Sequence, residues 1–177
     1  MLKNTYFLLG FFGVGKTSVL RILRDDFGYP TIDSDELIEL ESGKSIRKVF
    51  MDNGIVGLKS IENRILKRLT KIKGYVISVA ANSGLNEELV ELMKQNGKII
   101  YLKTDLKSAV NRNIKRKPVI FSMIKQDEEL VTRIKKEYMA RNDILNRYSD
   151  ITIYTGNKSR FEIAKIIDDY IRNTEKA

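Results

Sequence analysis

Short apolar segments alternate with longer amphipathic ones along most of the chain. The apolar segments are rich in β-branched and aromatic residues and cover positions 5–9, 29–32, 75–79, 98–102 and 150–154. Between them, apolar residues recur every three or four positions, as they do in a helix with one buried face. The alternation therefore predicts βα units arranged around a mainly parallel sheet.

Residues that begin and end helices support this division. Asn96-Gly97 is typical of a helix end, and Ser159 with Glu162 forms a capping box that opens a C-terminal helix. Asp105 follows the fourth apolar segment and is predicted to cap the next helix. A further long helix is predicted over 128–146.

Two regions depart from the simple alternation. The stretch 33–72 is too long for one helix and predicts two or three helices over the edge of the sheet. In residues 112–126 the helical period is lost around Lys115-Arg116-Lys117-Pro118, which is compatible with a mobile flap or with an ordinary surface loop. With 177 residues, the whole of 1–177 fits a single domain.

Composition excludes several classes of protein. No apolar run approaches the roughly 20 residues of a membrane span, and the N-terminus does not resemble a signal peptide, so a cytoplasmic location is expected. The chain has no cysteine and no histidine, which removes thiolate chemistry and the usual general base. Its charge of +9 is spread over all predicted helices without a nucleic-acid-binding motif. We therefore interpret the charge as a solvated surface that favours small anions rather than nucleic acid.

The strongest motif is a glycine-rich loop after the first predicted strand. Gly10-Phe-Phe-Gly-Val-Gly-Lys-Thr17 matches G-x-x-x-x-G-K-[ST], in which backbone N–H groups at a helix N-terminus face phosphate. A glycine turn with an incidental lysine is the alternative, but such a match arises by chance in under about 1% of chains of this length. The sequence thus predicts a nucleotide-binding P-loop. Its candidate ATP-binding residues are Gly13, Val14, Gly15, Lys16, Thr17 and Ser18.

The acidic residues expected near such a loop follow the second predicted strand. The third strand runs into residues 80–84 without meeting a carboxylate, and residues 157–160 lack the aspartate that reads guanine in GTPases. Asp33 and Asp35, by contrast, lie two residues apart at a strand end, on the side where a parallel sheet binds its ligands. Helix capping is the structural alternative. We expect one of them to serve Mg²⁺ and the other to face an acceptor hydroxyl.

These residues form part of a longer ordered set that resembles shikimate kinase. The likeness covers nearly the whole chain, and the P-loop alone would be unspecific. The matching positions after the P-loop are Asp33-Ser-Asp35, Gly43-Lys-Ser-Ile46, Val49-Phe50, Gly54, Leu58-Lys59, Glu62, residues 76–84, Tyr101-Leu102, Lys117-Pro118 and Arg141.

The resemblance implies a three-layer αβα P-loop NTPase fold with a five-stranded parallel sheet, similar to nucleoside monophosphate kinases. Residues 33–72 would form a helical substrate-binding region, and residues 112–126 would form a lid. The implied activity transfers the γ-phosphoryl group of Mg·ATP to a ring hydroxyl of shikimate. A monomer is expected, with no membrane or nucleic-acid partner.

The resemblance also implies roles for individual residues. Lys16, Asp35 and Lys117 would be catalytic, with Asp35 holding the acceptor hydroxyl and Lys117 closing over the phosphates. Thr17 and Asp33 would serve Mg²⁺, and Arg112 would lie against adenine. The substrate carboxylate would contact Lys59 and Arg141, with Glu62 orienting Lys59 and a backbone N–H at Ala81 nearby.

Three departures from the family pattern concern this implied site. Lys59 and Lys117 stand where the family has arginine, so charge is kept but the planar fork is lost. Ala80-Ala81-Asn82 replaces three glycines, which predicts a smaller, re-shaped acceptor pocket. Two alternatives therefore remain open: a kinase for another small hydroxylated carboxylate, and a nucleotide-binding paralogue without catalysis.

Overall fold

The structure is a computed structural model that describes residues 2–79 and 85–176. Five parallel strands form one sheet in the order β2-β3-β1-β4-β5, so the first strand lies at its centre. All five strands predicted from the sequence are confirmed, with ends that shift by one or two residues. The strands are β1 (Tyr6–Gly10), β2 (Thr31–Asp33), β3 (Val76–Ser78), β4 (Lys98–Lys103) and β5 (Ile151–Tyr154).

Seven helices connect and follow these strands within the described residues. Asp105 accepts a hydrogen bond from the backbone N of Ser108 at 2.8 Å, and Ser159 and Glu162 cap each other's backbone N–H, as predicted. No helix in the described ranges is long and apolar enough to cross a membrane. The helices are α1 (Lys16–Asp25), α2 (Ser34–Ser42), α3 (Ile46–Leu69), α4 (Glu87–Asn96), α5 (Leu106–Arg116), α6 (Asp127–Tyr148) and α7 (Arg160–Lys176).

The helices cover both faces of the sheet, which gives the three-layer αβα fold. Side chains alternate along β1, so Phe7 and Leu9 pack on the face covered by α3, α4 and α6. Tyr6 and Leu8 pack on the opposite face against α1 and α7. Because the strands are parallel, their carboxyl ends share one edge, where the P-loop and Asp33 both lie.

The two irregular regions are more ordered than their sequence suggests. The stretch 33–72 forms α2 and a long α3, and α3 is interrupted at Gly54, whose φ of 66° and ψ of −173° are not helical. In the segment 112–126, α5 continues to Arg116 and a 3₁₀ turn follows at Val119–Phe121. Phe121 is fully buried, so this segment is packed against the body of the protein.

Candidate active site

The P-loop connects β1 directly to α1 and is held by its own apolar residues. Phe11 and Phe12 are buried with Phe121 in a third apolar cluster, where Phe12 packs edge-on against Phe121 at 5.6 Å between ring centroids. Gly10 allows the loop to pass β4, because a Cβ there would lie 2.7 Å from the carbonyl oxygen of Leu102. The loop is therefore a fixed part of the core rather than a flexible turn.

The first turn of α1 is open to an anion. Its N-cap is Gly15, whose φ of 103° suits glycine and which brings no side chain to cap the helix. The first N–H groups of α1 thus keep their capacity to bind phosphate oxygens, and the helix dipole favours negative charge at this end.

Lys16 is half-buried beside the loop. Its Nζ donates to the carbonyl oxygens of Gly10 at 3.1 Å and Phe11 at 3.4 Å. Burial, followed by the positive charge of Arg141, lowers the pKa of Lys16 to about 8 against the opposing charge of Asp35. This ammonium lacks a full counter-charge, which a nucleotide phosphate would supply.

Asp33 caps α2 and also contacts Thr17, the other residue predicted to serve Mg²⁺. One carboxylate oxygen accepts a hydrogen bond from the Oγ1 of Thr17 at 2.9 Å, and the other accepts one from the backbone N of Asp35 at 3.0 Å. The second contact makes Asp33 the N-cap of α2. The oxygen that accepts from Thr17 is therefore not the one that caps α2.

The pair of Thr17 and Asp33 fits Mg²⁺. A hydroxyl and a carboxylate are hard oxygen ligands, and Mg²⁺ in phosphoryl-transfer sites is bound by one or two protein groups, water and substrate phosphates. No group of three carboxylates that could hold a metal by itself occurs in the described residues. The site thus has the few protein ligands that a phosphate-bound Mg²⁺ requires.

A cleft of about 410 Å³ opens beside these groups. It brings together the predicted catalytic residues Lys16, Asp35 and Lys117, although they come from α1, α2 and the end of α5. The described residues that line it are Phe12, Gly13, Gly15, Lys16, Thr17, Ser18, Asp35, Ile46, Arg47, Ser78, Arg116, Lys117, Pro118 and Val119.

The two predicted substrate-carboxylate contacts have different surroundings, and Arg141 contacts Phe12, which lines the cleft. Lys59 is exposed on α3, beyond the Gly54 interruption, and neither it nor Arg141 lines the cleft. Arg141 is 4% exposed, and its guanidinium lies 4.1 Å from the ring centroid of Phe12. Burial lowers the pKa of Arg141 to about 10, against the charges of Glu137 and Glu62. The buried Glu62 therefore acts on Arg141.

The remaining predicted site residues occupy three different surroundings. Ser18 lines the cleft, whereas Val14 is buried against the sheet. Arg112 is half-buried, with its Cβ 3.9 Å from the point that a Cβ on Gly13 would occupy. Ala81, like the rest of 80–84, lies outside the described residues.

Four functional candidates in this region were missed from the sequence. Arg47, Ser78 and Arg116 line the cleft, and Arg160 lies on the P-loop with its Cζ near the point that a Cβ on Gly15 would occupy. Burial lowers the pKa of Arg160, and the charge of Arg112 lowers it further. Only Arg116 carried a sequence signal, its place beside Lys117 in the basic run.

Comparison with known proteins shows the family of the chain. The sequence model of the family described as shikimate kinase matches residues 12–172. The shikimate kinase of Persephonella marina is 32% identical over 97% of this chain and 100% of its own length. That of Actinobacillus pleuropneumoniae serotype 5b is 30% identical over 98% of each chain.

Solved structures of shikimate kinases share the fold of this chain. The shikimate kinase from Acinetobacter baumannii in complex with shikimate superposes with a TM-score of 0.82 at 26% identity, over 97% of this chain and 94% of the other. The shikimate kinase from Aquifex aeolicus gives 0.72 at 24% identity, over 96% and 97% of the two chains.

Fold and cleft together define a P-loop kinase, in which the phosphate loop and the carboxylates of Asp33 and Asp35 share one edge of a parallel sheet. Its cofactor pair is ATP with Mg²⁺. The chain belongs to the shikimate kinase family.

Proposed function

We propose that the protein transfers the γ-phosphoryl group of Mg·ATP to a ring hydroxyl of shikimate. The single observation that carries the acceptor step is the position of Asp35, which opens into the same cleft as Lys16 and Thr17. A carboxylate opposite the phosphate loop can orient an alcohol towards the γ-phosphorus. The family membership and the shikimate complex of the Acinetobacter baumannii relative support the choice of acceptor.

The proposed reaction needs little covalent chemistry from the protein. The bond between the acceptor oxygen and the γ-phosphorus forms as the bond to the ADP oxygen breaks, and Asp35 accepts the hydroxyl proton late in the transfer. Lys16 and the N–H groups of α1 stabilise negative charge on the phosphates. Thr17 and Asp33 would hold Mg²⁺, which supplies further charge neutralisation when bound.

The proposed arrangement of the remaining residues follows from the family. Lys59 and Arg141 would contact the acceptor carboxylate, Ala81 would approach the acceptor through its backbone, and Arg112 would lie against adenine. Residues 33–72 would close the acceptor side and 112–126 the nucleotide side. Since Lys59 lies off the cleft on α3, this proposal requires α3 to move towards the substrate, whereas Arg141 on α6 already lies beside Phe12 at the cleft.

A coupled ADP-release assay with shikimate tests the function. We expect shikimate-dependent turnover that Asp35→Asn lowers by at least about 100-fold, while the affinity for Mg·ATP stays within about twofold. Folded, Mg·ATP-binding protein without shikimate-dependent turnover would reject the acceptor.

The position of Lys59 favours one alternative, a kinase for another small hydroxylated carboxylate. Its ammonium is exposed on α3 and lacks the fork that holds a carboxylate through two hydrogen bonds. The same assay with a panel of hydroxylated carboxylates decides between acceptors, because the true acceptor should give the highest kcat/KM.

A further inference from the structure

The last residue of α5, Arg116, lies directly on the phosphate loop. Its Nη1 and Cδ are 3.4 and 3.5 Å from the point that a Cβ on Gly13 would occupy. The same side chain lines the cleft together with Lys16 and Thr17. Arg116 thus approaches the P-loop at the place where nucleotide phosphates bind.

A buried asparagine fixes this end of α5 to the loop. The Nδ2 of Asn113 donates to the carbonyl oxygen of Phe12 at 3.0 Å and to that of Ala109 at 2.7 Å. Asn113 and Arg116 are three residues apart, so they lie on the same face of the helix. The anchor at Asn113 therefore holds Arg116 over the P-loop.

The neighbouring Lys117 is placed differently. It follows the end of α5 with a φ of 41°, and its backbone N–H closes the helix on the carbonyl oxygen of Asn113 at 2.9 Å. The left-handed conformation at Lys117 redirects the chain towards Pro118. Lys117 also lines the cleft, but no atom of it lies closer than 3.9 Å to the point that a Cβ on Gly13 would occupy, whereas the Nη1 of Arg116 lies 3.4 Å from that point.

The charge of Arg116 has no local counterpart. Among residues 2–79 and 85–176 it forms no ion pair, and it adds to the positive charge that acts on Lys16. Two cations held beside each other at a helix N-terminus are stabilised by an anion that contacts both. A guanidinium also presents a planar fork that matches two phosphate oxygens, which an ammonium does not.

We propose that Arg116, rather than Lys117, is the catalytic cation of this segment, which binds the β- and γ-phosphates of ATP at the P-loop. Arg116 would then perform the function that an arginine at position 117 has in the family, from the face of α5 that Asn113 anchors. This inference rests on the proposed kinase function for its effect on turnover, whereas its effect on nucleotide binding does not depend on the acceptor.

Four variants test this assignment: Arg116→Ala, Arg116→Lys, Lys117→Ala and, as the matched control, Lys115→Ala. Lys115 is an exposed cation of the same basic run that does not line the cleft. Calorimetric titration with Mg²⁺ present compares ATP with AMP, which lacks the two outer phosphates. We expect Arg116→Ala to weaken ATP binding by about tenfold and AMP binding by less than about twofold. Lys117→Ala should have a smaller effect on ATP, and Lys115→Ala none.

Turnover gives the second readout. Arg116→Ala should lower kcat by about 100-fold or more, since the guanidinium stabilises charge on the transferred group. Arg116→Lys should recover only part of that loss, because it restores the charge but not the fork.

Either of two results would overturn the assignment: ATP affinity within about twofold of wild type in Arg116→Ala, or a larger loss in Lys117→Ala than in Arg116→Ala. If wild-type protein binds ATP but does not phosphorylate shikimate, the proposed acceptor fails, and the comparison of ATP with AMP still decides the role of Arg116.

Discussion

Replacing Lys16 by methionine should make the nucleotide-free protein more stable while abolishing the stabilisation that Mg·ATP provides. The side chain of Lys16 is half-buried, and desolvation is the main reason that its pKa falls from 10.5 to about 8. At about 1.36 kcal/mol per pH unit, the charged form is disfavoured in the fold by about 3 kcal/mol at neutral pH. Methionine removes the charge at similar length.

The net gain is smaller than that figure, because two hydrogen bonds are lost. Lys16 donates to the carbonyl oxygens of Gly10 and Phe11, and such bonds contribute about 0.5 to 1.5 kcal/mol each. We therefore expect Lys16→Met to raise the free energy of unfolding by about 1 to 2 kcal/mol at pH 7. Lys135→Met, at an exposed position on α6, is the control and should change stability by less than about 0.5 kcal/mol.

The pH dependence of the stability difference between Lys16→Met and the wild type gives the sharper test of the charge effect. Between pH 8 and 10.5 the unfolded chain holds the proton of Lys16 more tightly than the folded protein does, so the stability of the wild type rises with pH in this interval. The advantage of Lys16→Met should consequently shrink by about 2 kcal/mol between pH 7 and 9.5. The other titratable groups contribute equally to the stability of both proteins, so their contributions cancel in this difference.

The assay is urea-induced unfolding of both proteins across this pH range, with and without Mg·ATP. A variant that is less stable than the wild type at pH 7, or a stability difference that stays constant to pH 9.5, would refute the electrostatic argument. In the presence of Mg·ATP the order should reverse, because only the wild type gains binding free energy.

Three further predictions concern other parts of the site. Thr17→Val should raise the Mg²⁺ concentration for half-maximal activity by about tenfold, since it removes the hydroxyl bonded to Asp33, and Thr17→Ser should restore it. Arg47→Ala should raise the KM for the anionic acceptor by about fivefold, as expected for one partly solvated cation, and an equal rise in the KM for ATP would contradict this. Phe12→Ala should lower the free energy of unfolding by about 3 kcal/mol in urea, whereas Phe161→Ala, at a 51% exposed position, should change it by less than about 1 kcal/mol.

The strands and the phosphate loop could be predicted because their signals are local. A short apolar run with a turn after it specifies β1, and four fixed residues within eight specify the loop. The position of Asp33 was also predictable, because a residue at the end of a strand can both cap a helix and lie near the P-loop. The structure shows the helix cap and the contact with Thr17, and binding of Mg²⁺ by Asp33 stays a prediction.

The acceptor side could not be predicted to the same depth, because it depends on contacts between distant segments. The charge of Glu62 acts on Arg141, which comes from a different helix, and the role of Glu62 in orienting Lys59 stays a prediction. The interruption at Gly54 separates the first turns of α3, where Arg47 lines the cleft, from the exposed Lys59. Spacing along the chain does not specify how such a break directs the two halves of a helix.

The end of α5 shows why transferring functional residues position by position has a physical limit. A motif position specifies where a residue lies in the chain, whereas its direction depends on where the helix stops. Here α5 extends through Arg116, Asn113 is anchored to Phe12, and Lys117 takes the left-handed cap. Lysine at 117 therefore does not by itself indicate a weakened phosphate site, since the preceding guanidinium already lies on the loop. Phosphate binding by this segment therefore depends on the geometry of the end of α5 as well as on the identity of the residue at the motif position.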